Sequence, residues 1–342
     1  MNWPEKWIDP ITRHVRHVPL EWCAFVDRAI IVGGGRWDGV ADRYGAPITF
    51  AVVVDGREVP FKLLRGPDAG LAAGTTRPLM VALHGMGVTA ASFQGILPAV
   101  LETHDVLIVD YNSFGGRGWP TGGVSLRMMA AAIWRVVECI GVEQVSMLGS
   151  SLGGGLALIA ATLQPDRVES LVLLNPAAYP QPLPTMYKMA RIPIFGDVMM
   201  RITPAEKFVA GVSYLGYSVP ERMPMDLRRA YERNLERVEN RVKLMDVMRA
   251  LSANERDMRE QLRRLQRLKT RTMVMWGMLE RLLPAEGGRW LARDLANSEL
   301  VEFADLAHLP HEEDPARISR EIRRFLGAGE RPGNSMRTAA RA

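Results

Sequence analysis

The chain has 342 residues, 47% hydrophobic and 24% charged, with a formal net charge of +5, which is ordinary for a globular protein of one large domain plus an insertion. No apolar run approaches the roughly 20 residues that cross a bilayer, and Met1 to Leu20 carries charges, prolines and histidines in place of a signal-peptide core. The basic excess comes without a recognition motif and is interleaved with Glu over Leu227 to Arg241 and Asn254 to Lys269, so nucleic acid is not an expected partner. Cys23 and Cys139 form no metal or redox motif and fit a cytoplasmic location.

Residues 1–46 read as an N-terminal arm. Leu20 to Ile31 has the pattern of a short helix, which Gly33-Gly34-Gly35 would break. Trp3, Trp7, Trp22 and Trp37 fall in this arm. Packing against the domain is the plain expectation; a membrane-surface or dimer contact is the alternative, since Trp and basic residues suit interfaces. Ile48 to Asp55 and Arg57 to Leu64 then read as two strands joined at Asp55-Gly56, a favoured hairpin turn.

Leu79 to Leu83 is a continuous apolar strand ending in His84-Gly85-Met86-Gly87, a loop whose backbone N–H groups can face a site at the sheet edge. Val106 to Asp110 is the next strand, followed by Tyr111, Phe114 and Trp119, which are placed to border a pocket. Gln144 to Leu148 is another short apolar run, and Leu152 to Gln164 an apolar helix. Between them stands Gly149-Ser150-Ser151-Leu152-Gly153. A serine on a sharp strand-to-helix turn is lifted out of the sheet with its hydroxyl exposed, and the strained turn favours flanking glycine. The helix N-terminus beside it supplies backbone N–H groups and a positive dipole end where negative charge would develop.

Ser170 to Leu174 is the following strand. Pro176 to Lys269 then interrupts the alternation with a helical pattern, including Leu235, Val238, Val242, Met245 and Met248 in 3/4 spacing. This stretch is rich in methionine, which is expected mostly as core and in a few places as an adaptable pocket lining. Arg271 to Trp276 resumes the strands and leads into Gly277 to Pro284, which contains Glu280. Leu300 to Phe303 precedes Ala307-His308-Leu309-Pro310. Residues 327–342, with Gly, Ser and Arg, read as a disordered tail.

A serine is a weak nucleophile without a base, and histidine is the side chain whose pKa suits that task near neutrality. A carboxylate on the other ring nitrogen fixes the tautomer. Ser151, Glu280 and His308, each just past a strand, supply that set. His84 is expected to orient its loop by hydrogen bonding, and His311 is expected at the surface; His14, His17 and His104 match no motif. No His/Cys/Asp/Glu set has metal-ligand spacing, so neither metal nor cofactor is expected.

The His84–Gly87 loop, the elbow at Ser151, the loop from Gly277 through Glu280 to Pro284, and the run His308, Pro310, Glu313, Pro315 together resemble the α/β-hydrolase family over roughly residues 47–326. Glu280 stands where this branch usually has Asp. Asn175 stands where some relatives carry an alternative acid, and it cannot be a charged partner. The resemblance implies a mostly parallel central sheet flanked by helices, with a core over 47–175 and 270–326 and a helical cap over 176–269, inserted after the sixth core strand. It implies an oxyanion hole from the backbone N–H groups of Met86 and Leu152. His84, Gly85, Gly87, Gly149 and Gly153 support these loops, and Gly154 and Gly155 serve helix packing. It implies hydrolysis of a carboxylic ester, or a related acyl compound, of a hydrophobic small molecule through an acyl-Ser151. The alternatives are carbon–carbon bond hydrolysis of a dienone or diketone, and a ligand-sensing protein with slow turnover.

Overall fold

A computed structural model describes residues 26–30, 48–54, 57–66, 77–109, 125–179, 188, 192, 194–253, 264–327 and 335–338. Among these residues ten strands run in chain order: β1 Val26–Ile30, β2 Ile48–Val54, β3 Arg57–Leu64, β4 Leu79–Leu83, β5 Asp105–Val109, β6 Val145–Ser150, β7 Val168–Leu174, β8 Arg271–Gly277, β9 Ser298–Phe303 and β10 Ser335–Thr338. They form one sheet ordered β1-β2-β3-β5-β4-β6-β7-β8-β9-β10. The first three join antiparallel, as does β3 to β5, and every later pairing is parallel.

The central strands are buried on both faces, which explains their uninterrupted apolar sequences. Alternate residues feed two cores. Leu79, Val81 and Leu83 of β4 pack with the helices α2 Leu126–Ile140 and α3 Leu152–Leu163, whereas Met80 and Ala82 pack on the other face with α1 Leu97–Leu101. The hydroxyl of Ser125 caps α2 by accepting from the Met128 N–H at 3.1 Å, and Gly141, at φ 75°, ends the helix in the left-handed region.

Among the described residues of the insertion between β7 and β8 are the helices α4 Phe195–Ile202, α5 Ala205–Gly216, α6 Met225–Glu236 and α7 Val238–Ala253. With Val88, Ala91 and Leu309 of the loops beneath them they build one apolar core, to which the insertion contributes Tyr217, Met223, Leu227, Tyr231, Leu235 and Met245. The 3/4 stripe expected from Leu235 to Met248 is broken at Arg237, where α6 ends; Leu235, Met245 and Met248 are buried, and Val238 is exposed. After β8 come α8 Gly287–Asp294, α9 Pro310–Glu313 and α10 Pro315–Gly327.

Two expectations for the ends are corrected. Val26–Ile30 is a strand, not part of a helix, because it pairs antiparallel with β2 and satisfies an otherwise open ladder. Ser335–Thr338, inside the stretch expected to be disordered, adds in parallel to the edge of β9. The four tryptophans of the arm, and Tyr111, Phe114 and Trp119, lie outside the described residues. Among the described residues no helix is long and apolar enough to cross a membrane.

Candidate active site

β4, β6, β7, β8 and β9 all point their C-terminal ends to the same edge, so the loops that follow them converge there. Ser151 occupies the turn between β6 and α3 at φ 53°, an unusual region for a residue with a β-carbon. The turn is held on both sides. The Ser151 N–H donates to the Leu174 carbonyl at 2.9 Å, and the Ser151 carbonyl accepts from Ala177 and Gly155. The glycines permit this closeness: a β-carbon on Gly149 would lie 2.6 Å from the Gly153 carbonyl, and one on Gly153 only 1.9 Å from the Leu83 carbonyl. Gly154 and Gly155 sit against Pro176 and Ala177, just past β7.

His308 lies in the loop between β9 and α9. Its Nε2 is 2.8 Å from the Ser151 Oγ, and its Nδ1 is 2.6 Å from Glu280 Oε2. The Glu280 carboxylate is buried and heavily engaged. Its Oε1 accepts from the N–H groups of Arg281, Leu282 and Leu283 at 2.9, 2.7 and 3.2 Å, and its Oε2 accepts from the Asn175 side-chain amide at 2.7 Å. Burial works against the charge of Glu280, yet His308 and these donors hold its pKa below the usual carboxylate range. With Glu280 ionised, Nδ1 of His308 is the donor and Nε2 is free to accept the serine proton.

The loop after β4 lies beside the nucleophile; a β-carbon on Gly85 would be 3.4 Å from the Ser151 β-carbon. His84 is buried, and its Nδ1 donates to the Gly85 carbonyl at 2.8 Å. That bond fixes the plane of the Gly85–Met86 peptide, whose N–H points opposite to its carbonyl. Gly87 follows at φ 79°. Leu152 is the first residue of α3, so its N–H has no partner within the helix.

A cavity of about 560 Å³, open mouth included, lies between this loop and the insertion. It is lined by Met86 and Gly87 and by Met200, Phe208, Val212 and Met248, among other apolar residues. Ser151 itself does not line it; the cavity meets the nucleophile's surroundings at Met86 and Gly87. Met200 and Met248 supply methionine lining, while Met223 and Met245 are core and Met199 and Met225 are exposed.

The sequence profile described as alpha/beta hydrolase fold matches residues 78–315, which span all of these loops. The chain belongs to the α/β-hydrolase fold family. The uncharacterized hydrolase YugF of Bacillus subtilis (strain 168) is 27% identical over 278 residues, covering 80% of this chain and 96% of that one. A 2-hydroxy-6-oxononadienedioate/2-hydroxy-6-oxononatrienedioate hydrolase of Cupriavidus pinatubonensis (strain JMP 134 / LMG 1197) is 27% identical over 296 residues, covering 81% and 94%. The crystal structure of a hydrolase from Pseudomonas aeruginosa PA01 superposes with a TM-score of 0.67 at 24% identity, covering 82% of this chain and 98% of that one. The protein is thus a hydrolase.

Three features of the hydrolase site were not read from the sequence. Asn175, at φ 39°, bridges two strands' loops: its oxygen accepts from the Gly277 N–H at 2.9 Å while its amide holds Glu280. Arg281 donates to the carbonyls of Tyr214, Tyr217 and Ser218, at the C-terminal end of α5, where a cation is favoured. His311 is corrected from surface to fully buried, because α9 turns it inward against Phe93 and the Ser92 hydroxyl. Burial, with the neighbouring His308 adding, lowers its pKa to about 3. Among the described residues no group of three His, Cys, Asp or Glu side chains is arranged to hold a metal ion.

Proposed function

We propose that the hydrolase cleaves a carboxylic ester, or a related acyl bond, of a hydrophobic small molecule through an acyl-Ser151 intermediate. The observation that carries this reading is the unbroken hydrogen-bonded chain from Ser151 through His308 to Glu280. Ser151 Oγ attacks the acyl carbon as its proton passes to His308 Nε2. The oxyanion is held by the N–H groups of Leu152 and Met86. The leaving alkoxide takes the proton from His308, and water then attacks the acyl-enzyme with His308 as base, regenerating Ser151. Glu280 keeps the imidazole oriented and stabilises its charged form throughout.

The apolar lining supports a neutral acyl chain as the occupant, because burying a chain there removes apolar area from water at about 25 cal/mol per Å². A second reading, carbon–carbon bond hydrolysis, is favoured by the named activity of the Cupriavidus relative. The substrate in that name carries two carboxylates, which an apolar lining serves poorly. With Cys23 and Cys139 far apart in sequence, the proposal keeps the enzyme in the cytoplasm.

The test is turnover of p-nitrophenyl esters of rising acyl length alongside one meta-cleavage dienone, with intact-mass analysis after a fluorophosphonate. Ester turnover, one adduct on Ser151, and a loss of order 10³-fold or more in folded Ser151→Ala support the reading. Dienone turnover alone moves it to carbon–carbon cleavage. A stoichiometric acyl burst without turnover moves it to ligand sensing.

A further inference from the structure

A second polar cluster lies behind the triad, and nothing in the acylation chemistry uses it. Its centre is Glu312, buried three-residues-on from His308's neighbour Leu309 in the short helix α9. Glu312 Oε1 accepts from the Ser92 hydroxyl at 2.5 Å and from the Tyr231 hydroxyl at 2.8 Å. Its Oε2 accepts from the Tyr217 hydroxyl. Ser92 belongs to the 3₁₀ turn Ala90–Phe93, which follows the Met86 loop. Tyr217 ends α5 and Tyr231 lies within α6, both in the insertion. One carboxylate thus joins three parts of the molecule: the loop that carries His308, the turn after the Met86 loop, and two helices over the cavity.

The protons fit a carboxylate. Each hydroxyl has one hydrogen, and all three are directed at Glu312. Ser92 has therefore spent its hydrogen, so the 2.8 Å contact with His311 Nε2 is a donation from the ring. Burial pushes Glu312 up to about 6 against the three hydroxyls, with the charge of Glu313 adding, so the group is an anion at neutral pH. A neutral amide in its place would turn an NH₂ toward hydroxyl hydrogens.

The surrounding contacts tie the same stretch of the insertion to the same loop. The Leu309 N–H donates to the Gly216 carbonyl at 2.8 Å, and a β-carbon on Gly216 would meet the Leu309 side chain at 2.7 Å. Glu313 accepts from the Ser218 N–H at 2.8 Å and the Ala307 N–H at 2.5 Å. Residues 214–218 are therefore gripped by both the acid loop, through Arg281, and the histidine loop.

We propose that Glu312 is a positioning residue, a latch that fixes Tyr217 and Tyr231 of the helical insertion onto the loop bearing His308, so that use of the apolar cavity by long acyl chains depends on it. This rests on the acyl-Ser151 reading for its substrate, but its geometry is independent of that chemistry.

The experiment compares Glu312→Gln, Tyr217→Phe, Tyr231→Phe and the Glu312→Gln/Tyr217→Phe double variant with the wild-type chain. Three readouts are taken: kcat/KM on p-nitrophenyl acetate and octanoate, the rate of Ser151 labelling by diisopropyl fluorophosphate, and amide hydrogen exchange. The latch predicts that Glu312→Gln lowers octanoate kcat/KM by about tenfold or more, the scale of one charge-assisted hydrogen bond, with acetate turnover and labelling within about threefold. It predicts faster exchange confined to residues 205–236, and a double variant no worse than Glu312→Gln alone, since both break one node. Equal losses on acetate and octanoate with exchange raised throughout the domain would make Glu312 a plain stability residue and overturn the proposal, as would unchanged chain-length preference and exchange. Should Glu312→Gln not fold, the two Tyr→Phe variants, which each remove a single hydroxyl, carry the same comparison. Failure of the wild type to be labelled at Ser151 would sink the acyl-enzyme reading instead, and the exchange data would still decide the latch.

Discussion

The side-chain amide of Asn175 donates at 2.7 Å to Oε2 of Glu280, the same oxygen that faces His308 Nδ1 at 2.6 Å. The two residues are 105 positions apart, on loops after β7 and β8. An uncharged side chain at the end of β7 thus sets the carboxylate that orients the histidine. Asn also tolerates its positive φ better than most residues with a β-carbon.

Asn175→Ala should therefore lower kcat by about ten- to a hundredfold, the scale of a hydrogen bond to a charged group, with KM within about twofold. Steady-state kinetics on one good ester checks this. A KM effect with kcat unchanged would place Asn175 in substrate binding.

Glu280→Gln and Glu313→Gln should separate by symptom. Loss of the charge next to His308 is expected to cost kcat on the order of 10³- to 10⁴-fold, as in other triads that lose the acid but keep its shape. Glu313 touches no triad atom but joins Ala307 to Ser218, so its variant should lose thermal stability, with kcat within about tenfold. Melting curves and kcat from the same preparations decide it. Asp305, a further carboxylate near the loop, is bound to Arg317 at 2.9 Å.

The cavity predicts a size limit. Val212 Cγ2 lies next to Gly87, where a β-carbon would be 3.5 Å away, so Val212→Phe should fill the end of the cavity nearest the nucleophile. Esters of medium-chain acids should lose about tenfold or more in kcat/KM while acetate stays within about threefold, since overpacking rejects only the group that needs the space. The ratio of the two substrates is the measurement.

Acid stability should be set by buried titratable groups both inside and outside the triad. Burial, with Arg77 adding, lowers His104 to about 4, and burial lowers His311 to about 3. Both bind protons more readily when unfolded, so their stabilisation is complete above about pH 6.5 and is lost as pH falls toward the folded values. Glu312, raised to about 6, acts oppositely between its ordinary 4.5 and 6, where the folded state holds the extra proton. Between about 4.5 and 6 the two histidines outweigh Glu312, so stability falls on acidification, and Glu280, held below the usual carboxylate range, adds to the loss at lower pH. Denaturant midpoints from pH 7 to 4 test this, and His104→Gln should flatten the slope by about one proton.

The succession of strands from Ile48 to Phe303 along the chain, the elbow at Ser151, and the places of Glu280 and His308 just past strand ends were legible because each rests on local chemistry. Apolar runs of strand length, glycines at a strained turn, and polar residues just past strand ends all act over a few neighbours. The ends of the chain were misread for the opposite reason. Val26–Ile30 and Ser335–Thr338 have weak local preference and become strands only because β2 and β9 offer edges.

What only the tertiary structure decided is which polar side chains meet. Ser151 and His308 lie 157 positions apart; Glu312 gathers Ser92, Tyr217 and Tyr231 from positions 220, 95 and 81 residues away. His311 reads as a surface residue beside Pro310, yet the turn of α9 drives it into the core. Periodicity and turn chemistry specify where an element starts and which face it buries. They do not specify which distant hydroxyl or amide will satisfy a buried carboxylate, because that depends on how the insertion docks on the sheet's edge, and docking is a property of packed surfaces and not of any one segment.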